Sequence, residues 1–183
     1  SITFAPTIPC SGTPNPGNTT ASVTAACTGA NFSLGLQNST TGTGVSYAWE
    51  FDNGGGWTPF GTNAPTQSVS QSVATSYRCT VDCPAGGGTP TSATSTPIAV
   101  GMSSLLPVDF ASATFPSNCW SLSTTNNRLL RDAANAYGAA GTGSAKWDFF
   151  NATSGTEHTI TSPTLTPAPA SYQIRFDAAG TTY

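Results

Sequence analysis

The run Tyr77-Arg78-Cys79-Thr80-Val81-Asp82-Cys83 decides the fold of this chain. Alternate side chains of an extended strand share one face, so the tyrosine, the two cysteines and the valine point one way. The three polar side chains between them point the other way, and this alternation predicts a strand that is buried on one face only. Trp49 and Cys27 lie upstream and add two more core-forming residues to the pattern.

Composition favours a secreted all-β protein and excludes several function classes. The 183 residues suffice for one large or two small domains, and 53 of them are Ser or Thr. Only 7% of residues are charged while 10% are aromatic, which excludes a charge-rich disordered chain. A net charge of -3 without a basic cluster predicts no binding to nucleic acid or to an anionic membrane surface. No apolar run approaches ~20 residues, so we expect no membrane insertion.

Strand-like runs separated by turn clusters fill the first half of the chain. Residues 45–51 alternate, residues 52–56 form a Gly-rich turn and residues 57–60 complete a hairpin. Residues 67–73 predict an exposed strand, and a last strand ends at residues 98–100.

The chain divides into an extended arm at 1–9, a strand-rich segment at 10–101, a linker at 102–104 and a second segment at 105–183. The single helical candidate covers residues 128–136.

The first segment resembles an immunoglobulin-like module of large secreted surface proteins. The residues that carry the resemblance are Cys10-Ser11-Gly12-Thr13-Pro14, Cys27-Thr28-Gly29, Tyr47-Ala48-Trp49 and Tyr77-Arg78-Cys79. The related proteins belong to Bacteroidota-type bacteria that export through type IX secretion. The resemblance implies an Ig-like β-sandwich over 10–101, in which Trp49 packs on an inter-sheet disulfide and Tyr77 forms a corner.

Five cysteines indicate an oxidising compartment. The resemblance implies that Cys27 pairs with Cys79 and that Cys10 pairs with Cys83, which leaves Cys119 unpaired. A zinc site is the alternative, but the chain has no Cys-x-x-Cys pair and one remote histidine, His158.

The second segment resembles the first half of a jelly-roll domain of the MAM and choice-of-anchor J type. Its marks are Val108-Asp109-Phe110, Phe115-Pro116 with Cys119-Trp120, Gly141-Thr142-Gly143, Trp147-Asp148-Phe149 and Ser162-Pro163. Such domains run to ~150 residues, so the jelly-roll-like domain at 105–183 is apparently incomplete. Three explanations stay open: a missing remainder, a smaller sandwich, or completion by a strand from another subunit.

Self-association follows from the third explanation. The arm at 1–9 alternates at Ile2 and Phe4, and we interpret it as a candidate donor strand. A donor arm together with an acceptor gap would join subunits head to tail in an open-ended assembly.

Catalytic and cofactor signals are weak. We expect His158 to be a surface loop residue. The sequence contains no Gly-x-Ser-x-Gly elbow of a serine hydrolase, so we expect no enzyme and no catalytic residues. The resemblance implies no cofactor, with a structural calcium as the alternative, for which Asp109, Asp148 and Asp177 are the candidate ligands.

Four asparagines begin Asn-x-Ser/Thr sequons and are candidate glycosylation sites. They are Asn18, Asn31, Asn38 and Asn151.

The sequence therefore predicts a non-enzymatic extracellular protein with a structural or adhesive role. It would be a subunit of a cell-surface fibre or a segment of a large adhesin, with the four sequons as candidate glycosylation sites. The alternative is a carbohydrate-binding accessory module of a secreted enzyme, in which Trp57, Trp120 and Trp147 would stack on sugar rings.

Overall fold

The computed structural model is all-β in the part of the chain that it describes. It describes residues 8–84, 90–103, 116, 119–122, 129–133, 143–147, 153–155 and 157–163. No helix occurs among these residues, and the expected all-β class is therefore confirmed. The chain divides into two compact units, Ser1–Met102 and Ser103–Tyr183, which are described separately below.

The first unit is built from two sheets that enclose one hydrophobic core. The smaller sheet has the order β1-β3-β6, and the larger has the order β2-β9-β7-β4-β5, with β8 also paired to β7. The strands are β1 (Thr19–Ala21), β2 (Ala25–Ala26), β3 (Phe32–Leu36), β4 (Ser46–Asp52), β5 (Thr58–Phe60), β6 (Gln67–Val69), β7 (Thr75–Cys83), β8 (Thr91–Thr94) and β9 (Ile98–Met102).

Strand β7 is the centre of the larger sheet and alternates as its sequence predicts. Its residues are buried at every second position from Thr75 to Cys83, and half-buried between them. It pairs antiparallel with β4, where Trp49 lies opposite Cys79 and Phe51 lies opposite Tyr77. The core joins these inward side chains to those of the smaller sheet. Its buried members are Ala26, Phe32, Leu34, Trp49, Tyr77, Cys79, Val81 and Val100.

The β4–β5 hairpin forms as predicted. The carboxylate of Asp52 accepts hydrogen bonds from the backbone N–H groups of Gly54 and Gly56, at 2.8 and 3.0 Å. Both glycines have positive φ, at 105° and 95°, which explains why the turn is rich in glycine. The hairpin places Phe60 opposite Trp49.

The last strand of the first unit is interrupted between β8 and β9. Both pieces pair with the same flank of β7, and the break contains Pro97, which has no N–H to donate. The chain at residues 17–19 pairs with the backbone at this break, because Thr19 N donates to Thr96 O and Thr96 N donates to Gly17 O. The Thr19 and Ser95 hydroxyls share a buried 2.7 Å hydrogen bond, and Ser95 Oγ also accepts from Cys79 N. This polar node joins the two sheets along one side of the core.

The predicted strand over 67–73 is shorter in the structure. Strand β6 ends at Val69, and two residues of the run expected to be exposed, Gln67 and Gln71, are buried. The chain leaves the strand because the Gln71 side chain turns inward and bonds to β9, as described below.

The disulfide prediction is half right. Cys10 and Cys83 form a disulfide, with a Cα–Cα distance of 5.5 Å. Cys79, however, is a buried free thiol. Cys27 is disulfide-bonded, but its partner is not Cys79, so the predicted Cys27–Cys79 disulfide beside Trp49 does not form. Cys119, which was predicted to be unpaired, is also disulfide-bonded.

The strand register explains why Cys27 does not reach Cys79. Cys27 follows β2, in which Ala26 pairs with Met102, whereas the backbone of Cys79 bonds to Ser95. Met102 and Ser95 are separated along the last strand by roughly 20 Å, but a disulfide requires Cα atoms within about 7 Å. In β3 the core position is occupied by Leu34, which belongs to the same cluster as Cys79.

The second unit contains two antiparallel strand pairs in its described part. Strand β10 (Ser121–Leu122) pairs with β13 (Ile160–Thr161), and β11 (Leu129–Asp132) pairs with β12 (Ser144–Trp147). The weak helical candidate at 128–136 is a strand over 129–132, because pairing with β12 overrides a weak local helical preference.

Candidate functional site

An open apolar cleft lies at one end of the first unit. Its volume is about 510 Å³. It lies where β4 ends and β7 begins, between the β4–β5 hairpin and the segment that links β6 to β7. The lining residues are Thr28, Gly29, Phe51, Asn53, Phe60, Val69, Ser70, Gln71, Ser72, Val73, Thr75 and Tyr77. The volume falls in the range of about 300–1,000 Å³ that is typical of binding sites.

Aromatic rings form one wall of the cleft. The rings of Phe51 and Phe60 meet edge to face at 5.8 Å between centroids, and those of Phe60 and Tyr77 meet at 5.7 Å. Phe32 adds a further edge contact to Tyr77 from the smaller sheet, at 5.9 Å. This geometry holds the rings in fixed positions, so the wall exists before any partner binds. Val73, at the rim, is 50% exposed, which leaves an apolar side chain partly in water.

Gln71 anchors the base of the cleft. Its Nε2 donates to the carbonyl oxygens of Val100 and Gly101, at 2.9 and 3.0 Å, and its Oε1 accepts from the Tyr77 hydroxyl at 3.0 Å. The Tyr77 hydroxyl is therefore hydrogen-bonded to the segment that precedes β7, through the side chain of Gln71. The Gln71 amide bonds to β9 and accepts from the Tyr77 hydroxyl, so these two polar groups are satisfied within the fold, and the cleft presents mainly apolar surface.

Burial governs the ionisation of the two core groups beside this site. Burial raises the pKa of Tyr77 above its ordinary value of 10.0, and a hydrogen bond with Thr75 partly opposes that rise. Burial also raises the pKa of the Cys79 thiol from 9.0 to about 12, against a smaller lowering by a hydrogen bond with the Ala48 backbone. The nearby Asp82 carboxylate adds to the rise. A neutral, inaccessible thiol is a poor nucleophile, so Cys79 is a core residue.

Charged groups lie on the outer face of the larger sheet. Arg78 Nε donates to Glu50 Oε2 at 2.8 Å, and the guanidinium carbon lies 4.1 Å from the centre of the Trp57 ring. Arg78 therefore covers one face of this tryptophan, which is half-buried. The ion pair and the cation–π contact join β7 to both sides of the β4–β5 hairpin through one arginine side chain.

The predicted metal ligands cannot be compared with the structure. Asp109, Asp148 and Asp177 lie outside the described residues, as do Asn151, Ile2 and Phe4. Within the described ranges, no group of three or more His, Cys, Asp or Glu side chains is positioned to hold a metal ion. No helix in that same part of the chain is long and apolar enough to cross a membrane.

The three described sequon asparagines differ in their surroundings. Asn18, Asn31 and Asn38 are all exposed. The amide nitrogen of Asn38 donates to Asn15 O at 3.1 Å, and it is the atom that glycosylation would modify. Asn31 lies in the turn before β3, which is closed by a hydrogen bond from Ala30 N to Cys27 O.

The tryptophans of the second unit also differ. Trp147 is 47% exposed, and its ring meets that of His158 edge to face at 5.7 Å. Trp120 is half-buried. His158, predicted to be a surface loop residue, is half-buried, and both of its ring nitrogens are buried without a hydrogen-bond partner.

Sequence reasoning missed the cleft and its glutamine. Gln67, Val69, Gln71 and Val73 occupy alternate positions of this run. In an extended strand their side chains would therefore share one face. The alternation is visible in the sequence, but the polar identity of both glutamines favours an exposed strand.

No protein-family model, no curated protein and no solved structure matches this chain.

Proposed function

We propose that this chain is a non-enzymatic extracellular protein with a structural or adhesive role, as a subunit of a cell-surface fibre or a segment of a large adhesin. In this proposal the first unit is an Ig-like sandwich and the second is a jelly-roll-like domain. The disulfides support the oxidising, extracellular setting.

The observation that carries the proposal is the position of the Cys10–Cys83 disulfide. It joins the base of the arm to the end of β7, which is paired with β4, β8 and β9. A load applied to the arm therefore passes through a covalent bond into the central strand of the sheet. The backbone bridge between Pro9 and Thr43 beside it would otherwise separate first. Such a clamp suits a protein that transmits tension between neighbours.

The experiment that tests this proposal is size-exclusion chromatography with light scattering over rising micromolar concentrations. We expect the oxidised chain to form species that grow beyond a dimer, and we expect reduction of the disulfides to weaken this growth. A mass equal to one chain at every concentration would refute the fibre role.

A carbohydrate-binding module is the second candidate, and the exposure of Trp147 favours it. An accessible indole face is suited to stacking on a sugar ring. Glycan-array binding that Trp147→Ala abolishes and Trp57→Ala preserves would establish this candidate, because the Trp57 ring is already covered by Arg78. Absence of binding to any glycan would eliminate it.

A further inference from the structure

We propose that the extended arm at residues 1–9 of one copy, here called the leader, docks in the apolar cleft of a second copy. Copies would then join end to end. This inference rests on the proposed fibre function and assigns the contact that would build the fibre.

The anchor of the leader, at Pro9 and Cys10, and the cleft lie at opposite ends of the first unit. The leader is fixed where Pro9 bridges Thr43 and Cys10 bonds to Cys83, close to the pairing of Ser46 with Asp82. The cleft lies at the other end of the same two strands, close to the pairing of Asp52 with Ser76. A unit that anchors an apolar segment at one end and carries an apolar cleft at the other can form a heterologous, open-ended contact.

The reach of the leader favours a second copy over its own cleft. The seven-residue strand β4 places its two ends roughly 20 Å apart. Phe4 precedes Pro9 by five positions, so it extends at most roughly 17 Å from that anchor. Because Pro9 is bridged to Thr43, before β4 begins, the Cα atom of Phe4 falls short of the far end of β4, where the cleft of the same copy lies.

The chemistry of the two surfaces matches. No charged side chain is present among the described residues that line the cleft, and none is present in the leader. The leader carries Ile2, Phe4 and Ile8 as apolar side chains, and Ile8 is 77% exposed. Pro6 and Pro9 favour an extended backbone, which is the conformation needed to insert alternate side chains into a cleft.

A backbone contact is also available beside the cleft. Strand β6 is at the edge of the smaller sheet, where it pairs only with β3 among the described strands. Val69, its last residue, lines the cleft. An extended segment that places Phe4 against the aromatic wall can therefore add its backbone to the free edge of β6.

The test uses the full oxidised chain and two complementary variants, Phe4→Asp in the leader and Val73→Asp at the cleft rim. Val73 is half exposed, so this substitution leaves the core intact. Leu130→Asp is the matched control, because Leu130 is a similarly exposed apolar residue of the second unit, at 48%. Sedimentation velocity measures the association of each protein alone and of a 1:1 mixture of the two variants.

We expect the unmodified chain and Leu130→Asp to form open-ended oligomers, and each of the other variants alone to associate at least tenfold more weakly. In the mixture, the intact leader of Val73→Asp meets the intact cleft of Phe4→Asp. Only one such contact can form, so we expect dimers and no larger species.

Each other outcome overturns the inference in a different way. Oligomers that neither variant weakens would refute this contact and leave the proposed function standing. If Val73→Asp weakened association and Phe4→Asp did not, the cleft would bind a segment other than the leader. A mixture without dimers would refute the pairing of leader and cleft. An unmodified chain that stays monomeric would refute both the contact and the fibre role.

Discussion

Removal of the Cys10–Cys83 disulfide should lower the free energy of unfolding of the first unit by about 4 kcal/mol. The bond joins residues separated by 73 positions, so it closes a long loop in the unfolded chain. The chain-entropy relation gives about 4 kcal/mol for a loop of this length at 25 °C. Because domains are stable by only about 5–15 kcal/mol, the loss would be a large part of the total.

The perturbation is the double variant Cys10→Ala/Cys83→Ala, and the assay is native-state amide hydrogen exchange along β7. Exchange in this central strand requires unfolding of the first unit, so it measures the stability of that unit separately from the second. Each 1.4 kcal/mol changes the exchange rate tenfold, and we therefore expect the β7 amides to exchange about a thousandfold faster.

Cys79→Ala is the matched control, because it removes a buried sulfur without removing a cross-link. We expect it to cost about 1 kcal/mol, through the cavity that it leaves. Two such cavities would cost about 2 kcal/mol. If the double variant lost no more stability than this, the disulfide would not act by restricting the conformations of the unfolded chain, and the reasoning would be wrong.

Three further predictions concern the core and its turns. The raised pKa of Cys79 stabilises the folded state below pH 9.0, and this stabilisation is lost as the pH rises towards about 12. We therefore expect Cys79 of the folded protein to resist thiol reagents at neutral pH. In denaturant melts over a pH series, we expect the stability of Cys79→Ala to lack the decrease above pH 9.0 that Cys79 causes. Tyr77→Phe should cost about 1 kcal/mol in urea unfolding, because it leaves Gln71 Oε1 without its donor; an unchanged midpoint would contradict this. Gly42→Ala should destabilise clearly more than Gly54→Ala in thermal melts. Both glycines have positive φ, but only at Gly42 does an added Cβ meet backbone, at 2.5 Å.

The strands of the first unit were largely predictable, because each buried strand has a period-two pattern and a clear turn beside it. Strand β7 and the β4–β5 hairpin both follow from that pattern. The Cys10–Cys83 bond followed from the resemblance, which placed these two cysteines at the same end of the sandwich.

The error over Cys27 had a signal in the sequence. Phe32 and Leu34 face the core from β3, so a third core position of the same strand must lie an even number of residues away. Cys27 precedes Phe32 by an odd number of positions and is followed by Gly29, which has a positive φ of 74°. Both facts indicate a turn rather than a strand.

The cleft was not predictable, because it depends on tertiary contacts. The buried position of Gln71 arises from carbonyl groups of β9 and from the Tyr77 hydroxyl, which come together only in the folded sandwich. A single sequence shows a glutamine between serines, and composition alone favours exposure for such a residue.

Electron microscopy of the oxidised chain, without crosslinker and at micromolar concentration, tests the central claim most directly. The account predicts regular filaments, in which copies repeat along one axis through the contact of leader and cleft. A field of dispersed single particles would contradict it, and the exposed Trp147 would then make glycan binding the function to test.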